Sequence, residues 1–183
     1  MELWHYIINM KRLLMFCLSG LLAGSMLMSQ QPVKDSWYEK PEDLVKDIYR
    51  VVSAKPGENV DWVKVRSMFI DEAVVILRTS RDKSTRFTAD GFIQDFKNFY
   101  ADPRVQASGF EEKILSMKVM AYTDIAFIAT VYSAAITGSQ RPATRGIDLW
   151  LLSRQDGLWK ITSVVNEVIP PGQDLPDLPE WKF

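Results

Sequence analysis

Residues 143–168, ATRGIDLWLLSRQDGLWKITSVVNEV, contain the signal that decides the predicted fold. Asp156-Gly157 stands between two apolar runs, and this dipeptide is the strongest short-range signal for a β-hairpin because both residues tolerate positive φ. A two-residue turn there pairs Gln155 with Leu158 and fixes the register of both strands. The segment therefore predicts two long antiparallel strands, over residues 143–153 and 158–168.

One side of this predicted hairpin carries two tryptophans and two acids. Its facing pairs are Arg154 with Trp159, Leu152 with Ile161, Trp150 with Ser163, Asp148 with Val165, and Gly146 with Glu167. Asp148 and Glu167 are then diagonal neighbours, with Cα atoms about 7–8 Å apart, so their carboxyl groups could meet. Burial and a neighbouring like charge both raise the pKa of a carboxyl group, so the pair predicts an acid and a base in one site. The alternative places Glu167 at the rim, solvated or paired with an arginine such as Arg78 or Arg145.

The opposite side of the predicted hairpin is apolar as well. It carries Ile147, Leu149, Leu151, Val164 and Val168, whereas an antiparallel sheet with one wet face alternates apolar and polar residues. A contiguous apolar surface indicates contact with something, and the simplest partner is a second copy of the chain, which predicts a homodimer through the outer face. The alternative is cover by residues 171–183, a proline-rich segment predicted to be an extended tail.

Upstream of the hairpin, helices come first and further strands follow. The predicted elements are a helix from Pro41, a short helix from Asp61, a strand over 71–80, a helix from Thr88, and strands over 110–120 and 125–137. In the helix from Thr88, Phe92, Phe96 and Phe99 have the spacing of a buried helical face. Helices followed by a run of antiparallel strands predict one α+β domain over residues 41–170.

The N-terminal residues 1–29 have the composition of a secretory signal peptide. Lys11 and Arg12 precede an apolar run from Leu13 to Met28, which is short for a transmembrane helix of roughly 20 apolar residues. We therefore expect a protein exported to the periplasm or the medium, with residues 30–40 as a flexible leader. The alternative is an uncleaved N-terminal segment that anchors the chain in a membrane.

Export limits the chemistry that the expected mature chain can perform. The only histidine, His5, and the only cysteine, Cys17, lie in the predicted signal peptide. Disulfides, Ser-His-Asp triads, cysteine nucleophiles and metal sites built on His or Cys are thereby excluded from it, and neither a metal nor a cofactor is predicted. A formal net charge of −1 and the lack of a basic stripe argue against a nucleic-acid partner.

The order of the predicted elements resembles the nuclear transport factor 2-like superfamily, in its SnoaL-like branch. The resemblance covers about residues 40–170 and rests on Asp61-Trp62 before Met68-Phe69, Asp71-Glu72-Ala73-Val74, and the closing Asp156-Gly157-Leu158-Trp159-Lys160-Ile161. It implies a cone-shaped, curved, mostly antiparallel sheet wrapped around N-terminal helices, a cystatin-like roll with a pocket in the cone. Members are often dimers through the outer sheet face.

The same superfamily includes steroid Δ-isomerases, polyketide cyclases, dehydratases and non-catalytic binding or assembly domains, so the fold does not settle the function. The isomerases use a helical tyrosine and a protonated strand aspartate as an oxyanion hole, with a carboxylate base on the first strand. The resemblance places Tyr49 and Asp148 at the first two positions. It places Leu77, which cannot accept a proton, at the position of the base.

Three functions stay open at this point. In the first, the pocket binds a small, largely apolar ligand through Tyr49, Val75, Leu77, Phe96, Phe99, Trp150, Ile161, Ser163 and Val165. In the second, the same pocket is an isomerase, cyclase or dehydratase site with Asp148 as acid, Glu167 as base and Tyr49 beside them. In the third, the outer sheet face makes the chain a dimeric interaction or assembly module. The plainest interpretation of Trp150 and the phenylalanines is that they are core residues.

Overall fold

The computed structural model describes residues 38–80 and 83–174 of the 183-residue chain. The predicted signal peptide, most of the predicted leader and residues 175–183 of the predicted tail lie outside the described residues. Within the described part, no helix is both long enough and apolar enough to cross a membrane.

The described residues form four helices and six strands. In chain order these are α1 (Pro41–Val52), α2 (Trp62–Ser67), β1 (Phe69–Ser80), β2 (Lys83–Thr88), α3 (Ala89–Tyr100), α4 (Pro103–Ser108), β3 (Phe110–Tyr122), β4 (Ile125–Ile136), β5 (Thr144–Gln155) and β6 (Leu158–Ile169). The predicted α+β class is confirmed. β2 and α4 were not expected; β2 is a mostly exposed, polar strand and so lacks the apolar alternation that identifies a strand in a sequence.

All six strands belong to one curved, unclosed sheet with the order β2-β1-β6-β5-β4-β3. Every neighbouring pair is antiparallel except β1 and β6, which run parallel. The connection between β1 and β6 passes through α3, α4 and four strands, and this long path permits the parallel pairing. The expectation of a mostly antiparallel curved sheet is thereby confirmed.

Helix α1 packs its apolar side against the concave face of the sheet. Pro41 begins the helix, where its missing N–H has no helical partner. Leu44 and Val45 are fully buried and Ile48 is 3% exposed. Each such side chain contributes roughly 1.5–3 kcal/mol through its removal from water. This burial fixes the helix against the sheet, so that its next turn carries Tyr49 to the strands.

The hairpin turn forms where the sequence predicts it, but the predicted register holds for only part of the hairpin. Asp156 and Gly157 have φ of 50° and 82°, and the expected pairing extends from Gln155–Leu158 to Leu152–Ile161. There the register shifts, and Leu151 pairs with Ser163. The extra residue, Thr162, forms a β-bulge, and its hydroxyl donates a hydrogen bond to the Leu151 carbonyl at 2.9 Å.

The bulge reverses which residues of β6 face the helices, because one inserted residue turns every later side chain to the other face. Ile161 before the bulge and Val164 after it are both buried, at 0% and 4% exposure. The predicted partners of Asp148 and Gly146 are therefore wrong: Asp148 pairs with Asn166, and Gly146 pairs with Val168. The predictions that Ser163, Val165 and Glu167 face inward, and that Val164 and Val168 face outward, are corrected in the same way.

Gly146 provides space for an aromatic ring from the neighbouring strand β4. It pairs with Tyr132 on β4, and a Cβ atom at Gly146 would lie 2.5 Å from the Tyr132 hydroxyl and 2.6 Å from Cε1 and Cζ of the ring. Only a glycine allows the ring to cross the strand at this distance. The position of Tyr132 above the sheet therefore depends on Gly146.

Replacement of Gly146 by alanine should lower the free energy of unfolding by about 1–3 kcal/mol, because the new methyl group overlaps the Tyr132 ring. Urea unfolding of the variant measures the change. In a Tyr132→Ala background the overlap is gone, so the same Gly146→Ala change should be near neutral. Equal losses in both backgrounds would contradict the proposed contact.

Candidate functional site

A cavity of about 180 Å³ lies between helices α1 and α3 and the concave face of the sheet. Its lining is mostly apolar, with six residues whose side chains carry polar groups. The lining residues are Ile48, Tyr49, Val52, Val75, Leu77, Phe92, Phe96, Glu112, Tyr132, Asp148, Trp150, Val164 and Asn166. An engineered cavity of roughly 150 Å³ accepts benzene, so this volume suits a ligand of about one ring.

Six of the residues predicted for the site do line this cavity: Tyr49, Val75, Leu77, Phe96, Asp148 and Trp150. α1 and α3 supply Tyr49 and Phe96, β1 supplies Val75 and Leu77, and β5 supplies Asp148 and Trp150. The structure thus brings together side chains that lie far apart in the sequence, with Tyr49 and Trp150 separated by 101 positions. Their functional roles stay predictions.

The other predicted site residues lie elsewhere. Phe99 is 36% exposed and lines a neighbouring cleft, where its ring centroid is 5.0 Å from that of Phe110. Ile161 is fully buried core. Ser163 and Val165 face the other side of the sheet, because they follow the bulge. Each lies outside the set of residues that lines the cavity.

Glu167 also points away from Asp148. It is exposed, and its carboxylate lies 3.9 Å from the guanidinium Nε of Arg78 on the neighbouring strand. The alternative interpretation of Glu167 as a rim residue beside an arginine is therefore the one that the geometry supports. An exposed pair of this kind contributes little to stability.

A network of hydrogen bonds surrounds Asp148 at one end of the cavity. The Tyr49 hydroxyl donates to one carboxylate oxygen of Asp148, and the Asn166 amide donates to the other at 2.7 Å. The same amide donates to the Tyr132 hydroxyl at 2.8 Å. Both oxygens of Asp148 are thus partnered, as a buried carboxylate requires.

Thr130 joins this network to the indole of Trp150. The Trp150 Nε1–H donates to the Thr130 hydroxyl at 3.1 Å, and the Tyr49 hydroxyl lies 2.8 Å from the same oxygen. Thr130 is fully buried, and Trp150 is 6% exposed. The tryptophan ring meets Tyr49 edge-on with centroids 5.9 Å apart. These contacts hold both aromatic rings in fixed orientations on the cavity wall.

Burial controls the acidity of Asp148. Its removal from water raises the pKa of the carboxyl group to about 6, while the hydrogen bonds from Tyr49 and Asn166 act in the opposite direction. No Lys or Arg of the described residues forms a salt bridge with Asp148 within 4.0 Å. The hydrogen bonds therefore carry the stabilisation that a cation would otherwise supply.

Glu112 is a second carboxyl group in the cavity, and the sequence analysis missed it. It lies on β3 opposite Ala134, and its backbone N–H donates to the Ser53 hydroxyl at 2.9 Å, at the end of α1. Burial of the carboxyl group, together with the charge of Asp148, raises the pKa of Glu112 to about 8. One signal could have found it: Glu112 has the same strand parity as the apolar Phe110 and Ile114.

The environment of the Glu112 carboxyl group differs from that of Asp148. Among the described residues, no side chain hydrogen bonds to it and no cation forms a salt bridge with it. Burial raises the pKa of Tyr49, Tyr100 and Tyr132, and the charge of Glu112 raises each of them further. Glu112 is thus a carboxyl group that faces the cavity without a hydrogen-bonding or ionic partner in the described part of the chain.

The cavity also contains two further polar residues that were not predicted. Asn166 was not predicted because the register without the bulge turns it to the other face of the sheet. Tyr132 was not predicted because no sequence pattern indicates its contact with Gly146. Within the described residues, no three side chains among His, Cys, Asp and Glu come together in a way that could hold a metal ion. The arrangement can hydrogen bond a ligand, and two carboxyl groups of unequal pKa can exchange protons with it.

The raised pKa values predict that stability falls as pH rises. Glu112 binds its proton more tightly in the folded state, with a pKa of about 8 against 4.5 for the free group, so the folded state holds more protons than the unfolded state between these values. The free energy of unfolding should therefore decrease from pH 5 to pH 8.5, by roughly a few kcal/mol. Urea unfolding across this range measures the slope.

The Glu112→Gln variant should flatten that slope and be more stable than the parent protein at pH 8.5. Glu111→Gln is the matched control, because Glu111 precedes it on β3 and forms an exposed pair with Lys113 at 2.8 Å. If Glu112→Gln keeps the full slope, then the assignment of the pH dependence to this carboxyl group is wrong.

Comparison with known proteins places the fold but not the activity. No protein-family model matches the chain, and no curated protein matches it. A protein of unknown function from Pseudomonas putida KT2440, described as nuclear transport factor 2-like, matches with a TM-score of 0.57 and 11% identity, over 77% of this chain and 92% of that one. A protein of unknown function with a cystatin-like fold from Nostoc punctiforme PCC 73102 matches with a TM-score of 0.55 and 10% identity, over 71% and 89%. At such identities the likeness concerns the fold alone. The chain therefore has the nuclear transport factor 2-like fold that its resemblance to the SnoaL-like branch predicted.

Proposed function

We propose that the cavity binds a small, largely apolar ligand, of about one ring in size, whose polar group lies at the end formed by Tyr49 and Asp148. The observation that carries this proposal is the combination of an apolar wall with a few fixed polar groups in a cavity of about 180 Å³. This combination is typical of ligand sites. The hydrogen bonds among Tyr49, Thr130, Asp148 and Asn166 orient the polar groups before a ligand arrives, which lowers the entropic loss on binding.

For the localisation and the oligomeric state, the proposals are those predicted from the sequence. We propose export directed by residues 1–29, and a homodimer through the outer face of the sheet. Leu149 and Leu151 support the second proposal, since they are 39% and 50% exposed on that face. An exposed apolar surface is compatible with a partner but does not identify one.

Binding of benzyl alcohol tests the proposed ligand binding. The ring of this alcohol matches the apolar wall of the cavity, and its single hydroxyl group matches the polar end. Titration into the protein, followed by NMR, should shift resonances of residues that line the cavity. Leu77→Trp should weaken the binding by tenfold or more, because the larger side chain occupies the space. Leu151→Trp is the matched control on the outer face and should leave the affinity unchanged. Equal affinities for both variants and the parent protein would place the ligand outside the cavity.

A second candidate function is acid–base catalysis on a ligand in the same cavity. The observation that favours it is the presence of two carboxyl groups, Asp148 and Glu112, with pKa values of about 6 and about 8. Near neutral pH one of them is protonated and the other ionised, which is the arrangement that general acid–base catalysis needs. These values make Glu112 the acid and Asp148 the base near neutral pH, whereas the sequence predicts Asp148 as the acid and Glu167, which faces away from the cavity, as the base.

Exchange of the α-hydrogens of cyclohexanone with D₂O, followed by NMR, tests this second function. If the two carboxyl groups transfer protons, then Glu112→Gln should slow the protein-catalysed exchange by about 10²–10⁴-fold. Glu167→Gln should not change it. Exchange no faster than in buffer alone would reject proton abstraction from ketones of this size.

A further inference from the structure

The cavity is acidic and aromatic in its described lining. Asp148 is 8% exposed, and Glu112 lines the same space, with the charge of Asp148 acting on it. None of the described residues that line the cavity is Lys, Arg or His. Two carboxyl groups removed from water normally have a cation or a metal ion beside them. Here the position that such a cation would take is open to a ligand.

Aromatic rings form much of the remaining wall. Tyr49, Tyr132 and Trp150 lie at the Asp148 end, with Tyr49 in ring contact with both others at centroid distances of 6.2 and 5.9 Å. Phe92 and Phe96 lie at the α3 side, 4.8 Å apart. The faces of aromatic rings attract cations, and cages of such rings bind ammonium groups.

We infer that the ligand of this cavity is a protonated amine with an apolar body, whose ammonium group lies between Glu112 and Asp148 and whose body lies against the aromatic rings. This inference rests on the proposed ligand-binding function and names the class of ligand. An anionic ligand is excluded by the same charges, since a carboxylate would meet two acids and no cation.

The unequal partnering of the two acids assigns them different parts in this binding. Asp148 has both oxygens occupied by Tyr49 and Asn166, so it contributes its charge more than a free hydrogen-bond acceptor. Glu112 has no hydrogen-bond partner among the described side chains, so its carboxylate can accept a hydrogen bond from the ammonium group. A charge-assisted hydrogen bond of this kind is roughly twice as strong as a neutral one.

Amine binding should also release protons. The titratable groups that act on Glu112 or respond to it are Tyr49 on α1, Tyr100 on α3, Tyr132 on β4 and Asp148 on β5. All of them are neutral or negative, so nothing in the free cavity favours the ionised form of Glu112. A bound ammonium group reverses this and lowers the pKa of Glu112. The affinity for an amine should therefore rise between pH 6 and pH 8.

Calorimetric titration with three probes of one shape tests the inference: benzylamine, benzyl alcohol and benzoate, which are cationic, neutral and anionic at pH 7.5. We expect benzylamine to bind at least tenfold more tightly than benzyl alcohol, with benzoate weakest. Titrations in buffers of different ionisation enthalpy should show proton release with benzylamine only. The preference should fall severalfold in Glu112→Gln, where only the charge of Asp148 remains to favour the amine, while benzyl alcohol still binds and so reports that the variant is folded.

Glu111→Gln is the matched control, since it removes a carboxylate from the other face of the same strand and should keep the preference for the amine. Benzyl alcohol binding with no advantage for benzylamine would overturn the inference and leave the proposed apolar pocket standing. An undiminished preference for benzylamine in Glu112→Gln would also overturn it. Failure of all three probes to bind at millimolar concentration would overturn both this inference and the proposed function.

Discussion

One inserted residue in β6, Thr162, determines which side chains reach the cavity. Without this bulge, side chains would alternate strictly between the two faces of β6, so Ile161 and Asn166 would lie on opposite faces. Either Ile161 could be in the core or Asn166 could lie beside Asp148, but not both. The hydroxyl of the inserted Thr162 donates a hydrogen bond to the Leu151 carbonyl. After the bulge, the side chains of β6 alternate with the opposite parity. The amide of Asn166 thereby reaches both Asp148 and Tyr132. The polar end of the cavity depends on that contact.

The hydrogen bonds around Asp148 in turn determine the position of its neighbours. Tyr49 comes from a helix and Thr130, Asp148 and Asn166 from three adjacent strands, so the network connects α1 to the centre of the sheet. Without a hydrogen-bond partner, burial would strongly favour the neutral form of the Asp148 carboxyl group. The hydrogen bonds that Tyr49 and Asn166 donate limit the rise of its pKa. Glu112 lacks such donors among the described residues, and its pKa is correspondingly higher. The pKa values of the two buried acids thus differ because hydrogen bonds lower that of Asp148, whereas the charge of Asp148 raises that of Glu112.

Close packing of side chains limits the volume of the cavity and fixes the position of Tyr132. Tyr132 lies over Gly146 at a distance that no larger residue allows, and this brings its hydroxyl to Asn166. The aromatic wall and the apolar side chains of α1 and β1 leave about 180 Å³, which is small for a ligand site. The size of the cavity favours ligands of about one ring, and its charge distinguishes among them.

The sequence by itself determined the Asp156-Gly157 turn, the order of the helices and strands other than β2 and α4, and the inward position of Trp150, Val75 and Leu77, because turn dihedrals and strand parity are set by neighbouring residues. Its resemblance to a known superfamily also placed Tyr49 and Asp148 together. The tertiary structure alone decided the bulge at Thr162, the approach of Asn166, the exclusion of Glu167 and the presence of Glu112 in the cavity. A bulge forms when the burial of Ile161 and Val164 on one face outweighs the lost strand pairing, and that balance depends on α1 and β1, which lie far away in the chain. Packing between segments that are distant in the chain therefore decides the strand parity after a bulge. It also decides whether a polar residue such as Glu112 points into the cavity.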